Sequence, residues 1–143
     1  MKAWSADAQL ERRNIIFDLI RQRYRHYLDA EGECDTLLRH DSSRESLRAA
    51  IPFLASEVAD DVAFGNTLIR RVRDTMTFNA MPHPFETSTF AGLLECHRGK
   101  MKADVLDYVE NTFAELLPRG MTRDLQFHGY NDNFPVMWTW ALQ

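Results

Sequence analysis

The stretch from Lys100 to Leu117 constrains the fold most, because its apolar residues recur at the spacing of an α-helix. At 3.6 residues per turn, seven apolar side chains share one face, namely Met101, Val105, Leu106, Val109, Phe113, Leu116 and Leu117. Asp104, Asp107 and Glu115 fall on the opposite face. Because a one-sided helix needs an apolar surface to cover it, the chain is predicted to pack several helices around one core. The following "LPRG" is expected to end this helix.

The same spacing, together with helix start and stop signals, predicts further helices upstream. One runs from Ala6 to about Leu28. A second begins at Ser42, where a serine followed three residues later by a glutamate forms a capping box, and is kinked or restarted at Pro52. Helical spacing continues from Val58 to about Thr75, and a short helix is predicted from Phe90 to His97. Four to five helices are therefore expected.

The first predicted helix is apolar around much of its circumference. Six residues form one stripe along it: Ile16, Phe17, Ile20, Tyr24, Tyr27 and Leu28. Ile15 and Leu19 extend the apolar surface to one side of that stripe. This helix is therefore predicted to pack against more than one neighbour.

The C-terminal stretch changes pattern after Gly120. "DLQFHGY" alternates polar and apolar residues, "NDN" is a cluster of turn-forming residues, and "VMWTWAL" is rich in aromatic and β-branched residues. This order is typical of a β-hairpin, with Trp138 and Trp140 on one buried face. In the competing interpretation, Pro135 opens a terminal helical turn that buries the same tryptophans.

The predicted fold class is α+β, a single domain over residues 1–143 with a small C-terminal antiparallel hairpin on a helical body. Since an isolated hairpin is only marginally stable in water, additional strands are expected around Thr75 to Met81 or Phe85 to Thr89. An all-α fold is the alternative.

Composition and charge exclude several classes of protein. The net charge of −4 argues against a generic nucleic-acid binder, since that affinity comes from basic residues that neutralise phosphates. The sequence has no apolar signal region near its start and no apolar run of membrane-spanning length. A cytoplasmic protein that does not enter a membrane is predicted.

Motifs for common chemistry are missing. The six glycines form neither a dinucleotide-binding fingerprint nor a phosphate-binding loop, and the histidines have no zinc-protease spacing. Cys34 and Cys96 stand apart, without the spacing of a disulfide framework or a zinc site. Neither a cofactor nor a metal is predicted.

One group of residues keeps an enzyme hypothesis open. His128, Tyr130 and Asp132 occupy the predicted turn, where an imidazole oriented by a carboxylate acts as a general base. Asn131 and Asn133 of the same turn add amide groups for binding. In the simpler interpretation, these residues only form the turn.

Acidic residues favour a protein partner as the main functional hypothesis. Residues 31–61 carry eight acids against three arginines, and Asp104, Asp107 and Glu115 form an acidic row on the last long helix. The sequence therefore predicts an inhibitor, immunity-type protein or regulatory subunit that docks through acidic and aromatic surface. A third hypothesis, a nucleic-acid-associated regulator, depends on four arginines, Arg12, Arg23, Arg70 and Arg71. Oligomeric state cannot be deduced.

Overall fold

A computed structural model describes residues 5–26, 43–75 and 84–126. Within these residues the chain forms five α-helices: α1 (Ala6–His26), α2 (Ser43–Leu54), α3 (Ala59–Thr75), α4 (Pro84–His97) and α5 (Ala103–Gln126). A 3₁₀ turn, Arg98–Lys100, joins α4 to α5. These ranges contain no strand, so the α+β prediction is wrong and the all-α alternative agrees with the structure.

The structure differs from the prediction near two prolines, Pro84 and Pro118. Phe85 to Thr89, a candidate strand, lies in the first turns of α4, because Pro84 opens that helix at a position where its missing N–H costs nothing. Likewise α5 continues through Pro118, whose side chain is exposed, and includes Asp124 to Gln126, the expected beginning of the hairpin. The rest of the predicted hairpin, including both tryptophans, lies outside the described residues.

The core is formed by α2, α3, α4, α5 and the segment that leads into α5. Fourteen apolar side chains are buried in it: Leu47, Ala49, Ala50, Phe53, Leu54, Leu68, Ile69, Val72, Phe90, Leu93, Met101, Val105, Val109 and Leu116. Edge-to-face ring pairs add to this packing, with Phe53 at 4.6 Å from Phe64 and Phe90 at 6.1 Å from Tyr108 between ring centroids. None of the fourteen buried residues belongs to α1.

Helices α2 and α3 approach each other closely at Gly65. A methyl group added there would lie 3.0 Å from Cγ of Leu54 and 3.1 Å from Cβ of Phe53. Its distance to the backbone nitrogen of Leu54 would also be 3.1 Å. Glycine therefore lets the two helices pack at a separation that a larger residue would increase.

Helix α1 lies on the surface of this core and packs against α2. Phe17, Ile20 and Tyr24 are half-buried on the inner side of α1. Ile16, which was predicted to share their buried stripe, is exposed instead. None of the described helices is long and apolar enough to cross a membrane.

Candidate functional site

A charged cluster attaches α1 to the start of α3. Its centre is Asp61, whose side chain is only 6% exposed. The hydroxyl of Ser56 donates a hydrogen bond to Oδ2 of Asp61 at 2.6 Å and accepts one from the backbone N–H of Val58 at 3.1 Å. Arg21 and Arg25 of α1 complete the group, which we call the Asp61 cluster: Ser56, Asp61, Arg21 and Arg25.

Both arginines connect α1 to Asp61 of α3, and Arg21 also connects it to α2. Nε of Arg21 lies 3.8 Å from Oδ2 of Asp61, and Arg25 forms an ion pair with Oδ1. Arg21 also donates to the carbonyl oxygen of Pro52 near the end of α2. In a continuing helix the N–H of Ser56 would donate to that carbonyl, but it donates to the carbonyl oxygen of Phe53. The carbonyl of Pro52 is therefore left for Arg21. The cluster therefore fixes α1 against both α2 and α3.

An open cleft of about 260 Å³ lies beside this cluster. Seven residues line it: Asp18, Arg21, Gln22, Arg25, Ser56, Val58 and Asp61. Arg21, Arg25, Asp18, Ser56 and Asp61 are engaged with one another, whereas most small-molecule sites are apolar with a few polar groups directed at the ligand. The cleft therefore has the character of a structural junction that orients α1.

The side of α1 that faces away from the body carries an apolar surface. Ile15, Ile16 and Leu19 are 53%, 54% and 60% exposed, respectively. At about 100° per residue, Ile15 and Leu19 lie opposite the half-buried Phe17 and Tyr24, and Ile16 lies at the margin between the two sides. We call the surface formed by Ile15, Ile16 and Leu19 the outer face.

Charged residues flank the ridge formed by Ile15 and Leu19 asymmetrically. Glu11 and Asp18 lie on one side of the ridge formed by Ile15 and Leu19. Arg12 and Arg23 lie on the other side, and all four of these charged residues are exposed. The ridge therefore has one acidic edge and one basic edge.

The acidic row predicted on α5 is partly neutralised. Asp104 accepts hydrogen bonds from Nε and Nη2 of Arg70 at 2.7 Å each, and from Nη1 of Arg73 at 3.2 Å. The hydrogen bond from Arg70 is the main reason that the pKa of Asp104 lies well below its usual range. Asp107 and Glu115 are exposed along the same helix. Asp104 thus joins α3 to α5 and is not an unpaired acid for a partner.

The predicted catalytic turn lies outside the described residues, so His128, Tyr130, Asn131, Asp132 and Asn133 stay a prediction. Within the described ranges, no group of three or more histidine, cysteine or acidic side chains could hold a metal ion.

The arginines proposed for nucleic-acid binding lie on two different helices. Arg12 and Arg23 are on the outward side of α1, whereas Arg70 on α3 is directed to Asp104 of α5. Arg71, also on α3, is half-buried. The structure therefore brings Arg70 to an acid rather than to the arginines of α1.

Sequence reasoning missed the Asp61 cluster. A serine before a helix and an acid in its first turn are ordinary helix-start signals, and Ser56 and Asp61 supply them. The pairing of Asp61 with Arg21 and Arg25 joins residues about 40 positions apart, for which the local pattern gives no signal.

Comparisons of the chain with protein-family models, with curated proteins and with solved structures found no match.

Proposed function

We propose that this chain is a protein-interaction module whose docking surface is the outer face of α1. The observation that carries the proposal is the exposure of Ile15, Ile16 and Leu19, each more than half accessible on one side of one helix. Exposed apolar surface with a polar rim is typical of protein-binding sites. The Asp61 cluster holds the opposite side of α1, so the outer face is presented without rearrangement.

The acidic row on α5 supports docking less well than the outer face does. Asp104 is engaged by two arginines, and the exposed residues near Asp107 and Glu115 include no large apolar side chain among those that the structure describes. Binding energy at interfaces comes mainly from large side chains that become desolvated, and the rim charges add little. We therefore assign docking to α1 and not to the acidic row of α5.

The proposed partner is an amphipathic helix. Its apolar stripe would cover Ile15 and Leu19, with basic residues toward Glu11 and Asp18 and acidic residues toward Arg12 and Arg23. Recognition of a helix by its apolar residues at helical spacing is a recurrent mode of binding. Such a module suits the inhibitor, immunity-type or regulatory roles inferred from the sequence, acting in the cytoplasm.

A designed peptide tests this proposal. The peptide is a labelled amphipathic helix with a leucine stripe, lysines on one side and glutamates on the other, and its binding is followed by fluorescence anisotropy. We expect micromolar affinity that falls about tenfold in the Leu19→Lys variant, because the central apolar residue is lost. Asp107→Lys on α5 is the control and should bind like the wild type. Equal binding to the Leu19→Lys variant, or no binding to the wild type, would contradict the proposal.

A further inference from the structure

We propose that the occupant of the outer face is a second copy of this chain, with the two α1 helices side by side and parallel. This inference rests on the proposed function and names its partner. The outer face has the property that a symmetric pair needs, namely an apolar ridge with an acidic edge on one side and a basic edge on the other.

The angular positions of the charged residues determine the direction of pairing. With the ridge of Ile15 and Leu19 as centre, Asp18 lies about 80° to one side and Arg23 about 60° to the other. When two identical helices pair in parallel, the left edge of each faces the right edge of the other. Asp18 of each copy, which stays 59% exposed beside Arg21, then faces Arg23 of the second copy, so opposite charges meet twice by symmetry.

An antiparallel pair would bring like edges together. Glu11 and Asp18 would then face acids of the second copy, and Arg23 would face an arginine. Like charges that face each other across an interface are destabilising and suppress the wrong arrangement. The charge pattern of α1 therefore selects the parallel arrangement of two copies.

The apolar contact between the two α1 helices, here called the seam, is short, so the association is weak. Ile15 and Leu19 meet their counterparts, and Ile16 covers one flank, while Ala8 adds a small side chain about two turns before Ile15. Arg12 lies seven residues before Leu19 and so repeats its position on the seam, where it would oppose its own copy. We therefore expect a weak dimer whose population rises with protein concentration.

Sedimentation equilibrium over a wide concentration range tests the pairing. We expect reversible self-association in the wild type, and about tenfold tighter association in Arg12→Leu, since a charge on the seam is replaced by an apolar side chain. A monomer at every concentration for both proteins would overturn the inference. Arg12→Leu is expected to strengthen association, so an unfolded variant cannot imitate the expected result. An unchanged circular dichroism spectrum shows that Arg12→Leu is folded.

Charge reversals test the parallel direction. Asp18→Lys and Arg23→Glu should each weaken self-association, because each places like charges across the seam twice. Mixed in equal amounts, the two variants should associate again, since every facing pair is then opposite in charge. A mixture that associates no better than its components would overturn the parallel arrangement, and melting curves of each variant confirm its fold.

The two proposals fail separately. If the wild type and Arg12→Leu stay monomeric while the designed peptide still binds the outer face, the second copy is the wrong occupant and the docking surface stands. If the peptide also fails to bind, both proposals fall.

Discussion

The side-chain oxygen of Asn66 accepts a hydrogen bond from the backbone N–H of Lys102 at 2.7 Å, although the two residues are 36 positions apart. The amide nitrogen of Asn66 donates to the carbonyl oxygens of Val62 at 2.8 Å and Lys100 at 3.0 Å. Asn66 is fully buried. One side chain therefore satisfies the backbone on both sides of Met101 and joins α3 to the start of α5.

Replacement of Asn66 by alanine should be strongly destabilising. The N–H of Lys102 would lose its acceptor and the carbonyl of Lys100 its donor, both at part-buried positions, so we expect the free energy of unfolding to fall by about 1–3 kcal/mol. Urea denaturation measures this change. Thr67→Ala is the matched control, because the exposed Thr67 hydroxyl donates within its own helix, to the carbonyl oxygen of Ala63. Similar losses in both variants would contradict the role given to Asn66.

Gly65→Ala tests the close approach of α2 and α3. The added methyl group would press on the backbone of Leu54 at 3.1 Å, and we expect a loss of about 1–3 kcal/mol in stability. Gly99→Ala is the control, since a methyl group there meets no atom within 4 Å. Thermal unfolding of both variants gives the comparison, and a Gly65→Ala protein as stable as the control would refute the tight packing.

Asp61→Asn should loosen α1 without unfolding the core. The two arginines would lose the buried carboxylate, at a cost of about 1–3 kcal/mol, because Arg25 is half-exposed and keeps part of its hydration. Hydrogen exchange should quicken in α1 and stay slow at the core residues of α3. Asp60→Asn, at an exposed neighbouring position, is the control. Unchanged exchange in α1 would mean that the cluster does not hold this helix.

The ion pairs of Asp104 predict a pH dependence of stability. Because Arg70 and Arg73 lower the pKa of Asp104 in the folded state, its stabilising contribution is complete above the unfolded value of about 4. That contribution is lost as the pH falls below 4 toward the folded value. The denaturation midpoint of Asp104→Asn should therefore lie below that of the wild type at neutral pH and approach it in acid. A constant difference at all pH values would contradict this account.

The helices could be predicted from the sequence because the signal for a helix is local. The apolar face of α5 appears as predicted, with Val105, Val109 and Leu116 buried, since periodicity alone determines which residues share a face. Helix α5 extends past the end predicted at Pro118, because a proline disfavours a helix interior without excluding it.

The candidate site could not be predicted from the sequence, because it depends on contacts between residues that are far apart in the chain. Ile16 shares a predicted stripe with Phe17, yet Phe17 is half-buried and Ile16 is exposed. Asp104 was assigned to an acidic docking row because its partner Arg70 is 34 positions away in the chain. Long-range pairing of this kind follows from the packing of α3 on α5 and is invisible to local patterns.

Residue-level photochemical labelling of aliphatic side chains tests the central claim most directly. In dilute protein, Ile15, Ile16 and Leu19 should be labelled strongly, because the outer face is open. On concentration or addition of the designed peptide, their labelling should fall while that of the exposed Val58, outside this face, stays constant. Weak labelling of the three residues in dilute protein, or labelling that neither concentration nor peptide reduces, would contradict the assignment of α1 as the docking helix.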